Sequence, residues 1–408
     1  MSAETGVRWV PVGELGEVRT GKQLSPASRG GTGQFPYLRV ANVFDGRIDY
    51  SDVKTMSFSR VERETYSLIA GDILLNEGQS LELVGRSALY DGSDGSYCFQ
   101  NTLVRFRPGI HILPKFAQIV FSRWLATGVF AAVAKKTTSI AHLGSDRFSA
   151  LLFPVLPVAV QRAVVETLDS LSLAERSVEG AIAKVRSIRQ GILLASMGQI
   201  GQPVVCEEWM RVPLKVVVPS TDYGISEALV SDPQGMPVLR MNNIRDGQLD
   251  TSELRYCPTS VPDRLVLRHG DVLFNRTNSI EHVGKAAMWK NDLPKATFAS
   301  YLVRLNPDLR QITPEYLVEW LQHPIIRQRV KAISTVAVQQ VNVNPTRLRD
   351  LEIDLPISLD EQRRIVSSLT ACDDRIRREE EELAKLRQLK IGLADDLLAG
   401  RAVVAGRG

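Results

Sequence analysis

The chain has 408 residues, with 44% hydrophobic and 24% charged side chains and a formal net charge of +4. That length suits two or three domains, and the composition excludes wholesale disorder and collagen-like structure. A charge of +4 is too weak to announce a nucleic-acid binder, and no apolar run nears the roughly 18 residues that a membrane span needs.

The first residues (MSAETGVRW) lack a signal-peptide core, and Cys98, Cys206, Cys257 and Cys372 form no CxxC pair. A cytoplasmic protein with reduced thiols is the expectation. Residues 1–157 are broken by Gly, Pro, Asn and Asp. The runs FPYLRVANV, GDILLN and NTLVRFRP read as strands, and the Asp-Gly pairs at 45–46 and 91–92 as turns. SRGGTG (28–33), with Ser25 and Pro26, reads as a flexible loop. A helix is expected after Pro114, and FPVLP (153–157) ends the domain, because the residue before a proline is pushed out of the helical region.

Residues 158–204 then turn helical, with apolar Val164, Leu168, Leu171, Val178, Ile182, Val185 and Ile192 at alternating four- and three-residue steps, as a heptad seam requires. From residue 205 the chain repeats itself. PYLRVANVFDG (36–46) returns as PVLRMNNIRDG (237–247), identical at six of eleven positions, and GDILLN (71–76) as GDVLFN (270–275). VGRSALY (84–90) returns as VGKAAMW, LVRFRP (103–108) as LVRLNP, Trp9 as Trp209 and Gln161-Arg162 as Gln362-Arg363. All these pairs lie 199 to 201 residues apart and in order, so the chain is a tandem duplication.

The second copy has its mixed domain over 205–356, with a helix after Pro314 that Pro324 interrupts, and its long helix over 357–400. The second seam is Ile365, Leu369, Ile376, Leu383, Leu386, Leu393 and Leu397. Polar residues enter the seams at Glu175, Arg189, Glu379 and Lys390. The acidic run 373–382 reads as a solvated face, and 401–408 as a disordered tail. The shared register favours two long helices packed on each other, antiparallel if the copies are related by a two-fold, each on the order of 55 Å long. By charge, residues 1–160 hold 17 Lys/Arg against 14 Asp/Glu, while 205–356 hold 18 against 18. The fold class is therefore α+β, with two tandem domains joined by two long helices forming an antiparallel coiled coil.

Catalytic patterns are missing. His111, His142, His269, His282 and His323 never fall at metal-ligand spacing, and no nucleophile elbow or phosphate loop occurs. Neither Asn-Pro-Pro-Tyr nor Asp-Pro-Pro-Tyr, needed to hold a target base for amino methylation, is present. The Pro-Asp pairs at 262–263 and 307–308 lack the acidic-x-Lys that follows in many nucleases.

Two divergent α+β domains, each closed by a heptad helix, resemble the specificity subunit of type I restriction-modification systems. The resemblance rests on WVPVGELGEVRTGKQ (9–23), YLRVANVFDGRID (37–49), GDILLNEGQSLELVGR (71–86) and KKTTSIAHLGSDRFSALLFPVLP (135–157). In the second copy it rests on LRMNNIRDG, GDVLFNRTNSIEHVGK and LPISLDEQRRIV. Val160 departs from the acidic residue that precedes Gln-Arg in the family, which Glu361 keeps, and the second copy's opening loses the Leu-Gly pattern of 15–21. The resemblance implies two target-recognition domains reading a bipartite, gapped site in double-stranded DNA. It also implies a coiled coil that sets the gap and holds two methyltransferase subunits, with restriction subunits joining them. S-adenosylmethionine is then expected in those methyltransferase partners, and no cofactor or metal in this chain.

Base reading needs paired donors and acceptors, and phosphate contacts need positive charge. The candidate DNA-binding residues in the first copy are Lys22, Asn76, Gln79, Arg86, Lys135, Lys136, Thr137 and Thr138. In the second they are Arg276, Thr277, Asn278, Lys285, Gln339, Gln340, Asn342 and Asn344. Asn76 and Asn275 recur and also suit a strand-end role; Arg39 and Arg240 recur and suit a structural ion pair; His142 suits a satisfied histidine. Two other readings remain: a coiled-coil scaffold whose domains bind protein, and a methyltransferase fused to its reader, against which the missing motif counts.

Overall fold

The structure, a computed structural model, describes residues 7–30, 32–136, 140–245, 247–337 and 340–398, without the side chains of 337, 397 and 398. Candidates Thr137, Thr138 and Gln339 and the tail 401–408 lie outside this set, as does the Leu397 side chain.

The chain forms two compact units, the first discontinuous in sequence and the second continuous. One runs to Glu179 and takes in the second long helix from Glu382; the other spans Gly180–Glu381. In the first unit, strands Gly16–Thr20, Leu103–Pro108, Ile73–Asn76 and Ser87–Leu89 make an antiparallel sheet in that spatial order. Gln34–Leu38 lies between Cys98–Phe99 and Lys54–Ser57 in a second sheet. Arg8–Pro11 pairs with Leu152–Val155 where the domain hands over to its long helix. The second unit repeats each sheet: Ser220–Tyr223, Leu302–Asn306, Val272–Asn275, Ala286–Met288; then Arg255–Cys257, Met236–Leu239, Thr297–Phe298; then Trp209–Pro213 with Glu352–Pro356. The protein is α+β, and the duplication is structural.

The main sheet of each unit packs under a helix, through different side chains. Phe106, Phe116, Phe121, Phe130, Phe148 and Phe153 interlock by edge contacts in the first core. The second core is mainly aliphatic, around Tyr316 and Trp320. Each sheet also buries an arginine against carboxylates: Arg105 pairs with Glu17, and its counterpart Arg304 with Asp222 and Asp271. Burying an arginine is tolerable only with such partners.

Several expectations are refined. FPYLRVANV is a strand only to Leu38; Val40–Asn42 is a 3₁₀ turn, because the Asn42 side chain captures the Arg39 amide and the Asp49 and Asp52 carbonyls. The proposed flexible loop contains a helical turn, Pro26–Gly30, with proline at its first position and the Ser25 and Ser28 hydroxyls tying it down. Pro324 does interrupt its helix, giving Pro314–Gln322 and Pro324–Ala332. The first copy breaks too, at Gly128, whose φ of +77° suits glycine.

The pairing of Trp9 with Trp209 is also corrected. Pro11 faces Leu152 and Pro213 faces Glu352, so the matching Val-Pro pairs are 10–11 and 212–213. Trp9 then sits at the place of Arg211, not Trp209. Arg211 grips the fully buried Asp354; in the first copy Trp9 lies opposite Pro154 instead, an apolar solution at the same rung.

The long helices run Val158–Ser196 and Leu359–Leu398. Within each unit, a segment of one packs antiparallel against a segment of the other. In the first unit Glu179 pairs with Arg387 at 2.6 Å, and Glu175 with Lys390 at 2.9 Å. In the second, Arg186 pairs with Glu380 at 2.6 Å and Arg189 with Asp373 at 2.5 Å. Thus two of the seam's polar residues, Glu175 and Lys390, answer each other, and the acidic run is partly engaged rather than wholly solvated. Of the seam, Val164, Leu168, Ile182, Val185, Ile365, Leu369 and Leu383 are buried. Leu171, Val178, Ile192, Ile376, Leu386 and Leu393 are half-buried.

Candidate nucleic-acid interface

The two stretches of each copy singled out in the sequence, about 60 residues apart, meet in one small antiparallel sheet. In the first copy Lys135–Lys136, Ala141–His142 and Gly78–Gln79 lie side by side. In the second, Thr335–Ala337, Gln340–Asn342 and Thr277–Asn278 do the same. The pairing register makes Gly78 equivalent to Thr277, Gln79 to Asn278, His142 to Asn342 and Lys135 to Thr335.

The scaffold beneath this ribbon is the same in both copies. Asn76 and Asn275 are fully buried at the end of matched strands, their amides donating to Val43 and Met241 carbonyls at 3.4 and 3.2 Å. The glycine that follows each valine (Gly85, Gly284) has positive φ and donates its backbone N–H to that asparagine's carbonyl. Both asparagines are therefore braces, the structural alternative raised by their recurrence.

Other candidates are also engaged within the fold. Lys22 donates to the Ser57 carbonyl and to Glu62, each at 2.7 Å, and lies over the Phe58 ring. Arg86 stacks over Phe44 at 4.7 Å, and burial pulls its pKa below the ordinary arginine range. Asn344 caps a short helix, accepting from the Thr346 amide at 2.8 Å. Arg39 pairs with Asp52, whereas Arg240 donates to the Glu253 carbonyl at 3.5 Å. Lys135, Lys136 and Gln340 are exposed, and Gln79, Asn278 and Lys285 half-exposed.

Arg276 lies over Tyr223 at 5.2 Å, and its guanidinium donates to the Ser300 carbonyl over a long 3.5 Å. A guanidinium stacked in place with spare donors suits bidentate recognition. Its structural counterpart is Glu77: each accepts at its carbonyl from a backbone N–H of the strand across, Glu77 from Leu143 and Arg276 from Val343, both at 2.8 Å. Sequence reasoning passed over Glu77, although the signal stood in the repeat: GDILLN-Glu against GDVLFN-Arg is a charge reversal directly after a matched strand. Glu77 accepts from His142 Nδ1 at 3.0 Å, while in the second copy the Thr277 hydroxyl donates to Asn342 Oδ1 at 2.9 Å.

Among the described residues no group of three or more His, Cys, Asp or Glu side chains could hold a metal ion, and no helix is long and apolar enough to cross a membrane.

Residues 207–388 match the family described as the type I restriction modification DNA specificity domain. The putative type I restriction enzyme MjaX specificity subunit of Methanocaldococcus jannaschii is 30% identical over 204 residues, 49% of this chain and 47% of that protein. The chain thus spans about half the length of that relative. The type I restriction enzyme EcoKI specificity subunit of Escherichia coli is 22% identical over 347 residues, 79% of this chain and 72% of the relative. The crystal structure of a type I restriction-modification S subunit from M. genitalium superposes with a TM-score of 0.55 at 13% identity, covering 98% of both chains. A chain from a study of complex assembly and conformational transition of a type I system gives 0.62 at 19%, covering 98% of this chain and all of that one. At such identities the likeness shows the fold.

Proposed function

The chain belongs with the specificity subunits of type I restriction-modification systems, and from that premise we propose how its two copies share the work. Each copy's ribbon reads one half of a bipartite, gapped site in double-stranded DNA. The observation that carries this is the contrast within the ribbons: equivalent positions on matching scaffolds bear different hydrogen-bonding side chains. Two readers of different half-sites need that arrangement, whereas a structural element repeated for its own sake does not.

The chain itself performs no chemistry in this reading. Two methyltransferase subunits, holding S-adenosylmethionine, and the restriction subunits act on the DNA that it selects. Those partners supply much of the phosphate attraction that a net charge of +4 cannot. The paired helices set the spacing between half-sites. Exchanging residues 205–356 for the corresponding domain of another such protein is expected to change one half of the methylated motif in the host genome. If both halves change, or neither, the modular reading is wrong. A gel shift with the partner methyltransferase separates it from a scaffold that binds only protein, because the scaffold produces no sequence-dependent shift.

A further inference from the structure

Gly78 and His142 stand directly opposite each other in the first ribbon, and Thr277 and Asn342 occupy the same rung in the second. The members of each pair fit one another. A Cβ on Gly78 would lie 3.3 Å from His142 Cε1 and 3.4 Å from Nδ1, so glycine leaves the room that the imidazole fills. Where the ring is replaced by the shorter Asn342, the glycine is replaced by Thr277, which fills the space and donates to the amide oxygen at 2.9 Å.

These partners also fix what each rung offers. An ionised carboxylate only accepts, so Glu77 at 3.0 Å places the imidazole proton on Nδ1 and leaves Nε2 of the neutral ring as an acceptor. The Thr277 hydroxyl occupies the Asn342 oxygen and leaves Nδ2, a donor, with no partner among the described residues. His142 keeps 42% of its side chain exposed, and Asn342 is half-buried at the ribbon surface.

We propose that this rung is a specificity-determining position with opposite hydrogen-bond polarity in the two copies. The first copy presents an acceptor, His142 Nε2, which suits an exocyclic amine, adenine N6 or cytosine N4. The second presents a donor, Asn342 Nδ2, which suits a carbonyl edge, guanine O6 or thymine O4. Glu77 and Thr277 are positioning residues that set the polarity without touching the base. The inference rests on the DNA-reading assignment and names which base groups the two sites take.

The test uses the full chain in complex with its methyltransferase partner. The wild-type motif is mapped by sequencing methylated adenines, then competed against duplexes carrying each single-base change in both half-sites. The Gly78→Thr, His142→Asn double variant is expected to change the preferred base at one position of one half-site by at least tenfold, from an amine-bearing to a carbonyl-bearing base. The other half-site stays within threefold. Glu77→Gln, which no longer dictates the tautomer, is expected to relax discrimination at the same position and to leave the profile at the other half-site within about threefold. It provides a second reading if the double variant folds poorly. An unchanged profile in a variant that melts like wild type overturns the inference, as does a uniform loss across all positions. Replacing residues 1–157 as a block separates the two levels. If the block changes a half-site and the rung variants do not, the rung inference falls and DNA reading stands; if neither changes anything, DNA reading itself falls.

Discussion

Gln161 and Gln362 make the same three hydrogen bonds in the two copies. Each side-chain oxygen accepts from a backbone amide just ahead of the domain's helix, Leu113 at 2.8 Å and Thr313 at 2.9 Å. Each amide nitrogen donates to two carbonyls: those of His111 and Leu156 in the first copy, and of Gln311 and Pro356 in the second. Both glutamines are fully buried. The Gln-Arg pair that marks the start of each long helix therefore works through its glutamine, which locks the helix to the globular domain; the neighbouring Glu361 pairs with Arg364 at the surface.

Gln362→Ala leaves buried backbone groups without partners and is expected to lower stability by about 2–3 kcal/mol. Gln362→Glu retains an acceptor for Thr313 but sets a buried carboxylate against the Gln311 and Pro356 carbonyls, so it is expected to cost at least as much as alanine. Urea unfolding of the full chain checks the order; equal stability of all three would show that the junction is held elsewhere.

Arg189 is pinned between Glu319 at 2.7 Å and Asp373 at 2.5 Å. Burial works against its charge, but the two carboxylates outweigh burial and raise its pKa above the ordinary arginine value. Burial likewise raises Glu319, with Arg189 pulling the other way. Arg189→Met strands a buried carboxylate and is expected to cost about 3 kcal/mol. Because folded Glu319 holds its proton more tightly than the unfolded chain does, its contribution to stability falls as pH rises from the ordinary carboxylate range through the raised folded value. That slope is expected to steepen in Arg189→Met and to vanish in Arg189→Met, Glu319→Gln. Thermal melts from pH 4 upward read both effects.

Glu175 and Lys390 face each other across the helix pair, partly shielded from water. A double-mutant cycle with Glu175→Lys and Lys390→Glu is expected to show a coupling of about 0.5–1 kcal/mol, with the double exchange recovering most of the loss. Additive losses would mean that the pair is incidental.

Lys135 and Lys136 are exposed on the outer strand of the first ribbon. Changing both to Gln is expected to weaken DNA binding of the complex alike for every sequence and to reduce its salt dependence by roughly one to two units of log–log slope. Arg276→Ala is expected instead to cost about 1–3 kcal/mol on the preferred site alone. Fluorescence anisotropy titrations at several salt concentrations distinguish the two patterns.

The duplication and both helical seams could be read from the chain because they are local: offsets of 199 to 201 residues and heptad steps need no tertiary knowledge. Strand pairing across 60 residues is not local, and for that reason the opposed rungs escaped notice; the charge reversal at Glu77 was local and was passed over. Identity of residue type also misled. Trp9 and Trp209 match by spacing, yet the Val-Pro pairs set the register and place Trp9 opposite Pro154. Asn76 looked like a reader because asparagine can read adenine; its burial beneath the ribbon makes it a brace.

Leu393 and Ala394 pack against the core of the first unit, which includes Val164 and Leu168. A ribosome adding about 5–20 residues per second therefore needs on the order of ten to forty seconds after Glu179 before it supplies those partners. During that interval the apolar side chains that Leu393 and Ala394 later cover lack those partners. The first unit is thus completed only after the whole of the second has been made, and its demand for holding chaperones is expected to persist while residues 180–381 are being added.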